Sequence, residues 1–185
     1  MLTVNFNPFP ILETERLCLR QIYEDDKKEI FALRSDKDIM QYVPRPLMKT
    51  LDEAVVFIKM INENIDKQEF INWGITFKSN NKLIGVIGFY RMQKENYRAE
   101  VGYMLHADFH KKGIMQEALD VVIEYGFKQM KLHSIEAVID PRNTASENVL
   151  IRSNFVKEAH FRENFLHQGE FLDSAHYSLL AKTSD

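Results

Sequence analysis

Apolar residues follow two different periods along this chain. Beyond Gly113 they recur at Met115, Ala118, Leu119, Val122, Ile123, Gly126 and Phe127, close to the spacing that gives a long helix one apolar face. Leu51, Ala54, Val55, Phe57, Ile58 and Ile61 predict a second helix, opened by the capping-box spacing Thr50-Leu51-Asp52-Glu53. Ile30, Phe31 and Leu33 predict a shorter one over 25–34, and residues 144–152 another. Pro44 and Pro46 make 41–49 a loop. Runs at 16–22, 70–77, 83–90, 98–105 and around Ile135 read as strands, with a polar hairpin turn at 78–82. Two further strands span 156–180 and turn at Gln168-Gly169. Gly102, inside the 98–105 strand, predicts a bulge that would break pairing with the next parallel strand and free backbone N–H and C=O groups in a cleft. The order implies an α/β mixed sheet, with an antiparallel front and a β-α-β core.

Composition narrows the function classes. A length of 185 residues fits one domain over 1–185 with a substantial core. The net charge of −3 argues against a nucleic-acid partner, which would select a basic face. Cys18, the single cysteine, excludes an internal disulfide and fits a reducing cytoplasm. Residues 1–10 lack the basic and apolar regions of a secretory signal, and no run has the length of a membrane span. His106 and His110 are four residues apart but straddle a strand end and a loop with no further metal-ligand pattern, so no metal site is expected.

The strand-to-helix loop His110-Lys111-Lys112-Gly113-Ile114-Met115 carries candidate chemistry. The first N–H groups of a helix lack intrahelical partners, and the helix dipole favours an anion there. Gly113 has no Cβ to hold an anion away, and Lys111 and Lys112 add positive charge. A pyrophosphate suits such a seat. Neither Gly-x4-Gly-Lys-Ser/Thr nor Gly-x-Gly-x-x-Gly occurs, which argues against a nucleoside triphosphatase and a dinucleotide dehydrogenase.

Further motifs appear in a fixed order. Thr14-Glu15-Arg16-Leu17-Cys18-Leu19-Arg20 is followed by Glu100-Val101-Gly102-Tyr103, by the loop at 110–115 and by Gln116-Glu117-Ala118-Leu119. Then come Pro141-Arg142-Asn143-Thr144-Ala145-Ser146, Phe155 and Gly169-Glu170-Phe171-Leu172-Asp173. Over about Leu12 to Leu180 this set resembles the GCN5-related N-acetyltransferases, in the branch that acetylates ribosomal-protein N-termini (RimJ/RimL type). The chain departs at His110 and Met115, the outer positions of the family's Gln/Arg-x-x-Gly-x-Gly/Ala loop, and at Asn154, where glycine is usual. The larger Met115 would tighten the seat, whereas Asn154 suits a left-handed helix end.

The resemblance implies about seven strands, about four helices and a splayed central strand pair that receives the pantetheine arm of acetyl-CoA. It assigns cofactor contacts to Met104, Leu105, His110, Lys111, Lys112, Gly113, Ile114, Met115, Asn143 and Ser146. The segment with the first two helices would help to shape the acceptor site. Acetyl transfer needs a neutral amine, an N–H donor for the oxyanion and protonation of the leaving thiolate. The N–H near Leu105 suits the oxyanion. Glu100 is the candidate to take the amine proton, directly or through water, and Ser146 the candidate partner of the thiolate. Asn143 and Thr144 both qualify as helix caps, so one can cap and leave the other free. The expected acceptor is a protein or peptide α-amine. A small-molecule amine, a non-catalytic acyl-CoA sensor and a structural interaction domain are the alternatives.

Overall fold

In a computed structural model the chain forms one eight-stranded mixed sheet of order β1-β2-β3-β4-β5-β6-β8-β7. The structure describes residues 1–181; residues 182–185, the end of the expected domain, lie outside the described residues. The strands are β1 (Leu12–Glu13), β2 (Leu17–Arg20), β3 (Ile71–Phe77), β4 (Asn80–Gln93), β5 (Arg98–Leu105), β6 (Ser134–Ile139), β7 (Val156–His167) and β8 (Glu170–Leu180). Among the described residues only β5 and β6 pair in parallel; the chain crosses between them through helix α4 (Ile114–Lys128). The count exceeds seven because β1 is a two-residue strand, too short to show a period in sequence.

Helices α1 (Lys27–Ser35) and α3 (Leu51–Asp66) pack on each other, α3 against β3 and α1 against β4. Between them α2 (Lys37–Met40) is an extra turn, capped by Asp36, whose Oδ1 accepts from Asp38 N at 2.8 Å and Ile39 N at 3.0 Å. The Thr50 cap forms as the capping spacing predicts: its Oγ1 accepts from Glu53 N at 3.3 Å. The Glu53 carboxylate reaches back to Lys49 N at 2.9 Å. The fifth helix, α5 (Thr144–Arg152), lies beside α4 and β6. In the core, Trp73 is fully buried with its ring edge-on to those of Phe89 and Tyr125, and its Nε1 donates to the Pro10 carbonyl at 2.7 Å.

One buried ion pair fixes where β2 leaves the sheet. The Arg20 guanidinium meets Asp26 through two 2.8 Å hydrogen bonds, and Asn81 and the Gln21 carbonyl take its remaining donors. Asp26 Oδ2 also accepts from Tyr23 N at 2.8 Å, closing the turn that opens α1. This hook ends β2 at Arg20, short of the expected residue 22.

The expected bulge at Gly102 is absent. β4 and β5 pair in unbroken register from Gly85↔Leu105 to Tyr90↔Glu100, and the irregularity lies in β4, between Tyr90 and Gln93. Arg91 takes a left-handed φ of 43° there. Gly102 serves a different need: a Cβ would stand 3.2 Å from the Tyr90 ring. The central gap forms without a bulge in β5. β5 and β6 pair only from Arg98↔Ser134 to Glu100↔Glu136 and separate beyond.

Candidate active site

Sequence dictates the geometry at the start of α4. Gly113 is its N-cap at φ 71°, in the left-handed region that disfavours a Cβ, and Lys111 also has positive φ, 59°. Among the described residues, the N–H groups from Lys111 to Gln116 have no acceptor, and Gly113 brings no side-chain cap. A run of unpartnered N–H groups at the positive end of a 15-residue helix has the geometry to hold an anion. Lys111 and Lys112 are exposed beside it, while Ile114 and Met115 are buried and hold the helix to the core. His110 has a local role: its Nε2 donates to the Leu105 carbonyl at 2.9 Å. His106 caps the preceding turn, with Nδ1 accepting from Asp108 N at 3.3 Å.

The splay carries its own polar groups. His106 N donates to Ile84 O at 2.9 Å, which fixes the ladder phase between β4 and β5. Successive residues of a strand direct their N–H groups to opposite sides. Tyr103 and Leu105 therefore direct theirs away from β4, into the gap. Met104 sits in the opposite phase, so its backbone faces β4 and it contributes to the cleft wall instead.

Across the gap stands the start of α5. Asn143, not Thr144, is the cap: its Oδ1 accepts from Ser146 N at 3.0 Å, leaving the amide nitrogen free toward the cleft that it lines. Ser146 is 8 % exposed, and its Oγ lies 2.8 Å from the Tyr103 hydroxyl. Tyr103 thus links β5 to the start of α5 across the gap. Burial, opposed by the Ser146 hydrogen bond, pushes its pKa up to about 12, so the hydroxyl keeps its proton.

Glu100 occupies the last paired position of β5, just before the gap. Its Oε2 lies 2.8 Å from Arg91 Nη1, the residue that the β4 irregularity turns toward it. Burial raises the Glu100 pKa, against the pull of Arg91, so it holds a proton more readily than a free glutamate. Its parallel neighbour Glu136 has its own partners, Arg98 Nη2 and His176 Nδ1, both at 3.0 Å. Glu100, Tyr103, Met104, Asn143 and Ser146 line one cleft of ≈520 Å³ that extends toward Arg34, Tyr42 and Arg45 on the α1–α3 side.

One set of residues has no counterpart in the sequence reading. Glu117, in the first turn of α4, accepts from Thr14 Oγ1, from Arg16 N at 3.0 Å and from Arg16 Nε at 2.6 Å. Arg16 Nη1 then donates to the Lys112 carbonyl at 3.1 Å. Burial works against the Glu117 charge, but the hydrogen bonds from Thr14 and Arg16 outweigh it and hold the pKa below the ordinary value. The β1–β2 corner thus braces the loop before α4. These partners lie about a hundred residues apart, beyond any local periodicity.

Comparison with known proteins agrees with this arrangement. The model of the acetyltransferase (GNAT) domain matches residues 16–156. YoaA, an uncharacterized N-acetyltransferase of Bacillus subtilis, is 34% identical over 172 residues, covering 93% of this chain and 97% of its own. The [ribosomal protein uS5]-alanine N-acetyltransferase of Escherichia coli is 25% identical over 170 residues, 88% of this chain and 86% of its own. A GNAT-family acetyltransferase structure from Bacillus anthracis superposes with a TM-score of 0.83 at 29% identity, covering 92% of this chain and 98% of that one. With an unpartnered helix N-terminus, a parted parallel strand pair and a family model spanning both, the chain belongs to the GNAT acetyltransferase family and is an acyltransferase.

Proposed function

We propose that this enzyme moves the acetyl group of acetyl-CoA to the α-amine of a peptide or protein. The carrying observation is the pairing of an anion seat with a parted strand edge: one suits a pyrophosphate, the other an amide-rich arm. Acetyl-CoA supplies an activated acyl carbon and a thiolate leaving group. In this reading the N–H groups from Lys112 to Met115 hold the pyrophosphate, with Lys111 and His110 at its border. The gap-facing N–H of Leu105 receives the oxyanion. The free amide of Asn143 meets the pantetheine arm.

Glu100 takes the amine proton, directly or through water, and its raised pKa makes it a better base than a solvated glutamate. Ser146 donates to the departing thiolate. Serine alone is a poor acid; with the hydroxyl pair oriented so that Tyr103 donates to Ser146 Oγ, the serine proton is polarised outward. Ser146→Ala is therefore expected to lower turnover roughly tenfold while acetyl-CoA affinity stays nearly intact, because a thiol of pKa near 8.5 already leaves fairly well. Stopped-flow thiol release checks this, and unchanged turnover with chemistry rate-limiting would reject the role.

An α-amine fits this site better than a lysine. Their pKa values, near 8 and 10.4, mean that a lysine needs roughly 3.3 kcal/mol more help to lose its proton. Among the groups around Glu100, Glu136 is occupied by Arg98 and His176, so no second free carboxylate assists. The E. coli relative that modifies an alanine of ribosomal protein uS5 supports the same class. The test is a competition between a peptide with a free N-terminus and a blocked lysine and its mirror image. Acetylation mainly on lysine would overturn the preference.

A further inference from the structure

We infer that the acceptor carries an anionic group, a carboxylate or a phosphate, which Arg34 and Arg45 bind at the far end of the cleft. This rests on the proposed acetylation of an amine in that cleft. It adds the chemical class of what accompanies the amine.

Four arginines border the two connected hollows on this side of the sheet. Two of them have carboxylate partners: Arg91 on Glu100 at 2.8 Å, and Arg142 on Asp140 at 2.6 Å. Arg34 and Arg45 have none among the described residues, and the Arg34 side chain makes no hydrogen bond among them. Its Nε is fully shielded from solvent and unpartnered. A buried N–H without an acceptor costs free energy. Burial accordingly lowers the Arg34 pKa, only partly offset by Tyr90, and Arg45 lowers it further.

Both cations line the same cleft, an arrangement that an arriving anion suits. Arg34 is already oriented, stacked with Cζ 4.8 Å from the Phe57 ring centre, so little side-chain freedom is lost on binding. In the same cleft the Oδ1 of Asn72, a residue 1 % exposed, also lacks a partner, while its Nδ2 donates to the Tyr90 hydroxyl at 2.6 Å. A buried acceptor and an unpaired guanidinium in one cleft suit a ligand with an anionic group and an N–H donor. The same charges disfavour a polyamine or a lysine-rich segment.

The test uses two matched series with acetyl-CoA and the full chain. The first is a set of peptides with one N-terminal residue and Asp, Glu, phosphoserine, Asn or Lys next. The second is a set of free amino acids against their amides. Acidic members are expected to exceed neutral ones by about tenfold in kcat/KM, mainly through KM, and lysine to fall below both. The advantage of the acidic members should shrink in Arg34→Gln and in Arg45→Gln. Since Arg45 is exposed in a loop, its variant keeps the comparison if the other misfolds. Phosphoserine exceeding Asp would identify phosphate as the preferred anion. Equal rates across charge, or a preference for lysine, would overturn the inference. A carboxylate preference confined to free amino acids would keep it while removing the peptide acceptor, so the two proposals fail separately.

Discussion

Asp26→Ala is expected to destabilise the protein by about 3 kcal/mol, because removing one member of a buried pair leaves the other charge uncompensated. Arg20 and Asp26 side chains are 9% and 10% exposed, so water does little to replace the lost partner. Asn81 and the Gln21 carbonyl remain as acceptors, which places the loss at the lower end of the usual range for such pairs. The Tyr23 N–H also loses its acceptor at the turn into α1. For a chain of this size the midpoint of thermal unfolding should fall by about 6–12 °C. Replacing both residues with apolar ones of similar volume should cost less than the single change. Chemical denaturation of the three proteins checks the order, and a single variant as stable as the parent would show that the pair contributes nothing net.

Gly113→Val is expected to weaken acetyl-CoA binding by about 2 kcal/mol or more, about thirtyfold, through lost charge-assisted hydrogen bonds. At φ 71° a β-branched residue is strained in its own backbone, so the loop must shift to accept it. The space itself is not crowded by the protein: a Cβ would find only Arg16 Nη2, at 3.6 Å. The loss should therefore appear in cofactor affinity more than in the fold. Calorimetric titration of the folded variant reads it directly, and an unchanged affinity would remove this loop as the phosphate seat.

Periodic elements were legible in the sequence and long-range ones were not. The strand at 98–105 and the helix at 144–152 appear at the predicted residues, because alternation and capping are local properties. Asn154 has the left-handed φ, 64°, that its place after α5 suggested. Gly102 misled because a glycine in a strand signals either a bulge or a close approach, and only the position of the Tyr90 ring decides between them. β4 runs to Gln93, beyond the expected residue 90, because its irregularity lies within the strand and does not end it. The brace of Thr14 and Arg16 on Glu117, the Tyr103–Ser146 bridge and the unpaired Arg34 all depend on contacts between distant segments. No helix among the described residues is long and apolar enough to cross a membrane.

The most direct test couples two readouts in one incubation of enzyme, acetyl-CoA and a peptide with a free N-terminus and a blocked lysine. Free thiol is followed with a chromogenic disulfide while mass spectrometry locates the acetyl group. The account predicts one acetyl on the peptide α-amine for each thiol released. Saturable acetyl-CoA binding with no thiol release beyond the no-enzyme rate, across peptides and small amines alike, would contradict it.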